Sequence, residues 1–253
     1  MLWLIGRLRR DFVTWERPVQ VGFLIALLVG IFALVAVAQA LVLWGNRGMV
    51  APLTAAQRAY MRGDFDTVLS HLETLHASDK ADARSLTLLG NTYRQLGRLD
   101  DSEIVLSEAV DKSPNHHYPH YGLGRTLIVQ GRYSEGVSHI LRALELGAPV
   151  GARFDAAEAY YRLGDQSTFE ALLDGLEVAG EPHRELMVAD WRSRFRAESI
   201  LSRPLIEVGL PYWKAQAERF AHTPYGVSVA LDAARLQSLL KDEVQGDDEK
   251  IEA

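Results

Sequence analysis

Cysteine is absent from all 253 residues. Disulfides, thiol catalysis and Cys-ligated metals are therefore excluded, while the redox compartment stays open. An excess of base is missing too: 27 Lys and Arg stand against 33 Asp and Glu, a formal net charge of −6. A nucleic-acid partner is not expected from such a balance. The patterns G-x-S-x-G, H-E-x-x-H and the P-loop do not occur, and no other catalytic constellation replaces them. The acidity that exists is local, because KDEVQGDDEKIEA at the C-terminus holds six acids and two lysines. A mean hydropathy of −0.05 averages over unlike parts.

The most informative absence is that of charge between Val19 and Trp44, VQVGFLIALLVGIFALVAVAQALVLW. About 20 predominantly apolar residues suffice for a helix to cross a bilayer. A buried core helix is one competing reading, but core helices seldom run so far without charge. A cleavable secretory signal is another, since AVA at 36–38 and AQA at 38–40 resemble small-residue cleavage sites. The apolar run passes both and continues to Trp44, beyond the roughly 7–15 residues of a signal core. An uncleaved transmembrane helix over 19–45 is the expectation. Arg7, Arg9, Arg10 and Arg17 precede it and only Arg47 follows closely. That bias leaves the N-terminus cytoplasmic and the rest outside the cytoplasm, in a single-pass plasma or inner-membrane topology. Trp15 and Trp44 sit near opposite ends, as interfacial anchors do. Gly22, Ala26 and Gly30 form a small-residue stripe where a second transmembrane helix could pack, though small residues are common in such helices. Residues 1–18 read as a basic amphipathic segment, suited to the inner membrane surface, to a simple extension of the span or to a partner.

Beyond the span, glycines set a rhythm. Gly63, Gly97, Gly131 and Gly164 follow one another at intervals of 34, 34 and 33. Each follows one amphipathic stretch and precedes a second, in RGDFDTVLSHLETL, LGRLDDSEIVLSEAV, QGRYSEGVSHILRAL and LGDQSTFEALLDGL. Gly97 ends a helix, where a left-handed residue is needed. Gly90 lies inside that helix, where the missing side chain lets the paired helix come close, and Gly124 repeats it 34 residues on. A helix–turn–helix unit recurring every 34 residues is the sign of a solenoid.

The second unit, ARSLTLLGNTYRQLGRLDDSEIVLSEAVDKSPN, resembles the tetratricopeptide repeat at Leu86, Leu89, Gly90, Tyr93, Gly97, Leu99, Leu106, Ala109 and Pro114. The third matches at Leu123, Gly124, Gly131, Tyr133, Ala143 and Leu144. The outer two depart, with Ala56 in place of glycine in the first and bulky Phe169 in the fourth, as terminal repeats of solenoids do. About four repeats over 51–182 are implied, in an all-α chain. From Glu181 the period is lost, but residues 183–241 keep helical spacing, punctuated by Pro182, Pro204, Pro211 and Pro224. These helices cap or extend the solenoid. Residues 242–253 read as a solvated acidic tail.

The resemblance implies a partner-binding groove on the first helix of each repeat. By matched position it holds Gln57 and Tyr60, then Thr87, Asn91, Arg94 and Gln95, then Tyr118, Tyr121 and Arg125, then Phe154, Glu158, Tyr161 and Arg162. Tyr and Arg dominate binding hot spots; the plainer reading is a solvated face. Some relatives clamp a partner's C-terminal carboxylate there. Asn91 and Arg125 match two clamp positions, but Gln57, Tyr121 and Leu53 depart at the other three. His116, His117 and His120 cluster at a turn, yet Pro119 interrupts the spacing, so polar turn residues are expected rather than a metal site. Asp100 and Asp101 begin a helix, where negative charge is favoured. No cofactor, metal or small-molecule substrate is expected. The expectation is a non-catalytic scaffold, adaptor or accessory subunit that binds protein partners, such as membrane-complex subunits, and contacts lipid through one span. The alternative is an extracytoplasmic chaperone-like factor for unfolded or translocating chains.

Overall fold

The computed structural model describes residues 17–45, 47–176, 180–196 and 201–251, with side chains at 19–44, 52–176, 180–195 and 201–241. Trp15 and the amphipathic segment before Arg17 lie outside the described residues. Twelve helices and no strand occur among the described residues. Helix α1 (Arg17–Gly45) contains Val19–Trp44, the one stretch among them long and apolar enough to cross a membrane, with mean hydropathy 2.9 and none of it buried. By length and composition a signal sequence passes the same test. The Gly22 and Gly30 positions meet no neighbouring atom.

A second compact unit begins at Pro52. Four helical hairpins follow one another: α2 (Arg47–Met61) with α3 (Phe65–Ala77), α4 (Ala83–Gln95) with α5 (Leu99–Lys112), α6 (His117–Val129) with α7 (Tyr133–Glu145), and α8 (Ala152–Leu163) with α9 (Gln166–Leu173). The four periodic glycines end the first helices with φ between +75° and +82°. At Gly97 the chain then closes an N–H bond from Arg98 to the Tyr93 carbonyl at 2.9 Å, which satisfies an orphan carbonyl of α4. Asp64, Asp82 and Asp165 start three helices by accepting from Thr67, Ser85 and Thr168 N–H groups.

Packing explains the interior glycines. A Cβ on Gly90 would come within 2.5 Å of Leu106 Cγ. One on Gly124 would come within 2.7 Å of the Gly136 carbonyl, and one on Gly136 within 2.8 Å of the Gly124 carbonyl. Helices α6 and α7 thus touch backbone to backbone. Leu72, Leu86 and Leu89 fill the core of the first two hairpins, and Leu106, Leu123 and Leu127 bridge to the third.

Three more helices complete the unit: α10 (Pro182–Arg196), α11 (Arg203–Arg219) and α12 (Pro224–Ile251). Pro182, Pro204 and Pro224 mark helix starts as expected, but Pro211 lies inside α11 and does not end it. Helix α12 runs on to Ile251, into the stretch that the sequence assigns to an acidic tail. Fully buried Trp191 of α10 is the hub of this end. Tyr161 stacks on it at 5.1 Å, Phe154 lies at 5.5 Å, and Phe169 and Trp213 stand edge-on at 6.2 Å.

Candidate functional site

The residues singled out above lie on the first helices α2, α4, α6 and α8. On α4 the spacing of Thr87, Asn91, Arg94 and Gln95 gives a continuous helical strip. Thr87 is buried, and its hydroxyl donates to the Ala83 carbonyl of its own helix at 2.6 Å. Asn91 is half-buried, and its Oδ1 accepts from Arg94 Nη2 at 3.2 Å. The amide fits because α6 has a glycine opposite: a Cβ on Gly122 would stand 3.3 Å from that Oδ1. Arg94 itself is only 5% exposed. Burial, and after it the neighbouring Arg125 charge, pulls its pKa down to about 10.

On α6, Tyr121 donates to Asp155 Oδ2 at 2.5 Å, while Arg125 Nε stands 3.8 Å from the other oxygen and its guanidinium 5.9 Å from the Tyr121 ring. Burial, then the Asp155 charge, pushes the Tyr121 phenol up to about 12. The Asp155 carboxylate holds Arg125 firmly charged. Asp155 was not among the expected residues. Phe154 stands 33 positions after Tyr121, whereas Asp155 stands 34 after it, and the inner face keeps the 34-residue register. That regular spacing is the signal that could have found it.

The chain's own C-terminal helices cover the fourth repeat's part of the face. Phe154 is 3% exposed beneath Trp191 and Trp213, and Tyr161 is stacked on Trp191. Glu158 is buried, and Arg162 bridges it at 3.4 Å to Asp232 of α12 at 2.7 Å. Arg194 joins Asp232 and Asp190 at 2.8 Å each, and Arg235 also bonds Asp190. Burial raises Glu158 to about 7, against the pull of Arg162. Tyr225 and Phe220 close over Arg125, Asp155 and Glu158, leaving a residual cavity of about 10 Å³, room for about one water. Pro224 sits on Gly131, and Arg219 donates to Gln95. Phe154, Glu158 and Arg162 therefore pack within the molecule rather than facing a groove. Aromatic burial and ion pairing with helices 30 to 80 residues away hold them there, and no local pattern announces such pairing.

Elsewhere on the first helices Thr87 and Arg94 are buried, and a few of the expected residues stay accessible. Gln57 is exposed, and Tyr60 and Tyr118 are half-buried, Tyr60 edge-on to Phe65 at 5.7 Å and Tyr118 edge-on to His116 at 5.5 Å. His116 fits its reading as a polar turn residue, but His120 does not. It is 8% exposed, its Nε2 donates to the Pro114 carbonyl at 3.0 Å, and its Nδ1 accepts from His139 Nδ1 at 3.2 Å. That tautomer pair follows because a carbonyl can only accept.

A family model described as tetratricopeptide repeat matches residues 53–117 and 121–182, about half of the chain. Among solved structures, the human IFIT1 dimer with PPP-AAAA is similar over 85% of this chain and 57% of that one, at 15% identity and TM-score 0.51. A thermophilic TPR protein of Thermus thermophilus is similar over 74% and 97%, at 16% identity and TM-score 0.50. An O-GlcNAc transferase of Thermobaculum terrenum matches over 58% of this chain at 22% identity and TM-score 0.44, and the chain spans only 26% of its length. No curated protein sequence matches.

Proposed function

This chain belongs to the tetratricopeptide repeat family, and we propose that it is a non-catalytic, membrane-anchored scaffold or accessory subunit of a membrane complex. Repeats of this kind typically form surfaces for protein–protein interaction. One observation carries the reading: the chain's own helices close over the fourth repeat, whereas on the earlier first helices Gln57 stays exposed and Tyr60, Asn91 and Tyr118 stay half-exposed. These accessible residues are polar and aromatic, the composition that protein hot spots favour. Membrane attachment is supported by the uncharged Val19–Trp44 helix, and the Arg bias before it supports a cytoplasmic N-terminus with the repeats outside.

Purification from native membranes in mild detergent, followed by mass spectrometry, tests the reading. A partner recovered at fixed stoichiometry is the expected outcome. Substoichiometric, client-dependent crosslinks would instead mark a chaperone-like factor. Protease added to intact spheroplasts should cut the repeats, and protection would overturn the topology.

A further inference from the structure

Helix α11 carries its exposed charges in a particular order. Arg203, Glu207, Lys214 and Glu218 follow one another along it as base, acid, base, acid. At about 100° per residue these four and Pro211 fall within about 80° of arc, one narrow face of the helix. Arg203, Glu207, Pro211 and Glu218 are exposed, and Lys214 is half-buried. Arg203 donates to Glu207 one turn on at 2.9 Å. Lys214 and Glu218 form no ion pair among the described residues.

The same face borders a groove of about 440 Å³ between α11 and α12. Leu210, Pro211 and Ala215 of α11 and Leu240 of α12 supply its apolar lining, and Glu207, Lys214 and Glu218 supply its charges. The terminal helices of a solenoid normally turn a polar outer face to water. Here the last two helices leave an apolar groove that no other helix fills among the described residues.

The charge order says what fits. Base, acid, apolar, base, acid becomes acid, base, apolar, acid, base when read backwards. The face therefore opposes itself sign by sign when a second copy lies antiparallel to it. With a two-fold axis between Leu210 and Pro211, Arg203 meets Glu218 of the second copy and Glu207 meets Lys214 of the second copy. Each contact then occurs twice, as an isologous interface requires. A parallel copy in register would set like charge against like. The apolar linings meet at the centre, where their burial drives association, and the flanking charges fix direction and register.

We propose that this groove is a homodimer interface, in which α11 packs antiparallel on α11 of a second copy about an axis between Leu210 and Pro211. Such a dimer is independent of the scaffold reading, because it is measured with no other protein present.

The test uses the full chain in detergent micelles. The chain has no cysteine, so an introduced thiol is the only one present. Pro211→Cys lies beside the axis and should give a disulfide-linked dimer on mild oxidation with copper phenanthroline. Ile104→Cys, on α5 and 66% exposed, should not. Sedimentation then reads the charges. Glu207→Lys and Lys214→Glu each place like charges across the axis, and each should raise the dimer dissociation constant by about tenfold or more. An equimolar mixture of the two variants sets unlike charges together again and should regain the native association, although neither variant has it alone. A native chain that sediments as a monomer overturns the proposal. So does a dimer that both single variants keep, which would be held elsewhere, for instance through α1. A mixture that fails to recover overturns the antiparallel register. If a charge variant does not fold, the Pro211→Cys link decides alone, and its absence, or equal linking of Ile104→Cys, sinks the interface. If Pro211→Cys does not fold, the mixture decides.

Discussion

Single atoms decide several positions in this chain. Gly90→Ala drives a methyl against Leu106, a side chain that can shift, whereas Gly124→Ala drives one against the Gly136 carbonyl, which is backbone and cannot. Overpacking of this kind costs about 1–3 kcal/mol. Urea unfolding should place Gly124→Ala near the upper end and Gly90→Ala near the lower. Gly97→Ala meets open space but keeps a φ of +75°, so its cost of about 1 kcal/mol comes from the backbone alone. Asp232→Ala should be larger, about 3 kcal/mol, because it leaves Arg162 and Arg194 short of a carboxylate. The glycines were legible in advance, since a 34-residue spacing and a helix-breaking residue inside a helical pattern are both visible along the chain. Asp232 was not. Its partners lie 38 and 70 positions earlier, and nothing near it in sequence marks the pairing.

Adjacent helices carry two groups whose ionisation works against each other. His139 of α7 is half-buried beside His120, and that burial followed by the neighbour's charge keeps it below the usual 6.5. The fold holds it neutral, the unfolded chain protonates first, and stability is lost as pH falls below about 6.5. Glu158 of α8 has the opposite sign. Raised from 4.5 to about 7, it is protonated in the fold while the unfolded chain ionises, so its contribution below 4.5 is lost as pH rises to 7. His139→Gln should therefore flatten the rise of melting temperature with pH between about 4.5 and 7, and Glu158→Gln should steepen it. Melting curves across that range check both, and equal slopes in all three proteins would refute the assignments. At this scale the helices and their hairpin pairing followed from apolar spacing and turn residues. The register of the inner face at α8 did not, because the last turn glycine comes one residue early and the face follows the helix instead.

The molecule as a whole joins an apolar helix to a repeat unit, each describable alone. Val29→Arg with Leu34→Arg should release the chain from carbonate-washed membranes, since each arginine at mid-span costs about 2.5–3.5 kcal/mol of insertion. Retention of the double variant in the pellet would refute a spanning anchor, and a mature N-terminus beginning after Ala40 would show cleavage instead. The repeat architecture was readable from period alone. The return of α11 and α12 across the inner face was not, because long-range packing of degenerate helices has no period to betray it. The Arg219–Gln95 bond closes a loop of 124 residues, and that separation has a consequence in time. During synthesis the four repeats exist before their cover does. Until residues 182–219 have been made, Phe154 lacks Trp191 and Trp213 above it and Tyr161 lacks Trp191 and Phe195, so a newly made chain shows a longer and more aromatic face than the finished protein keeps.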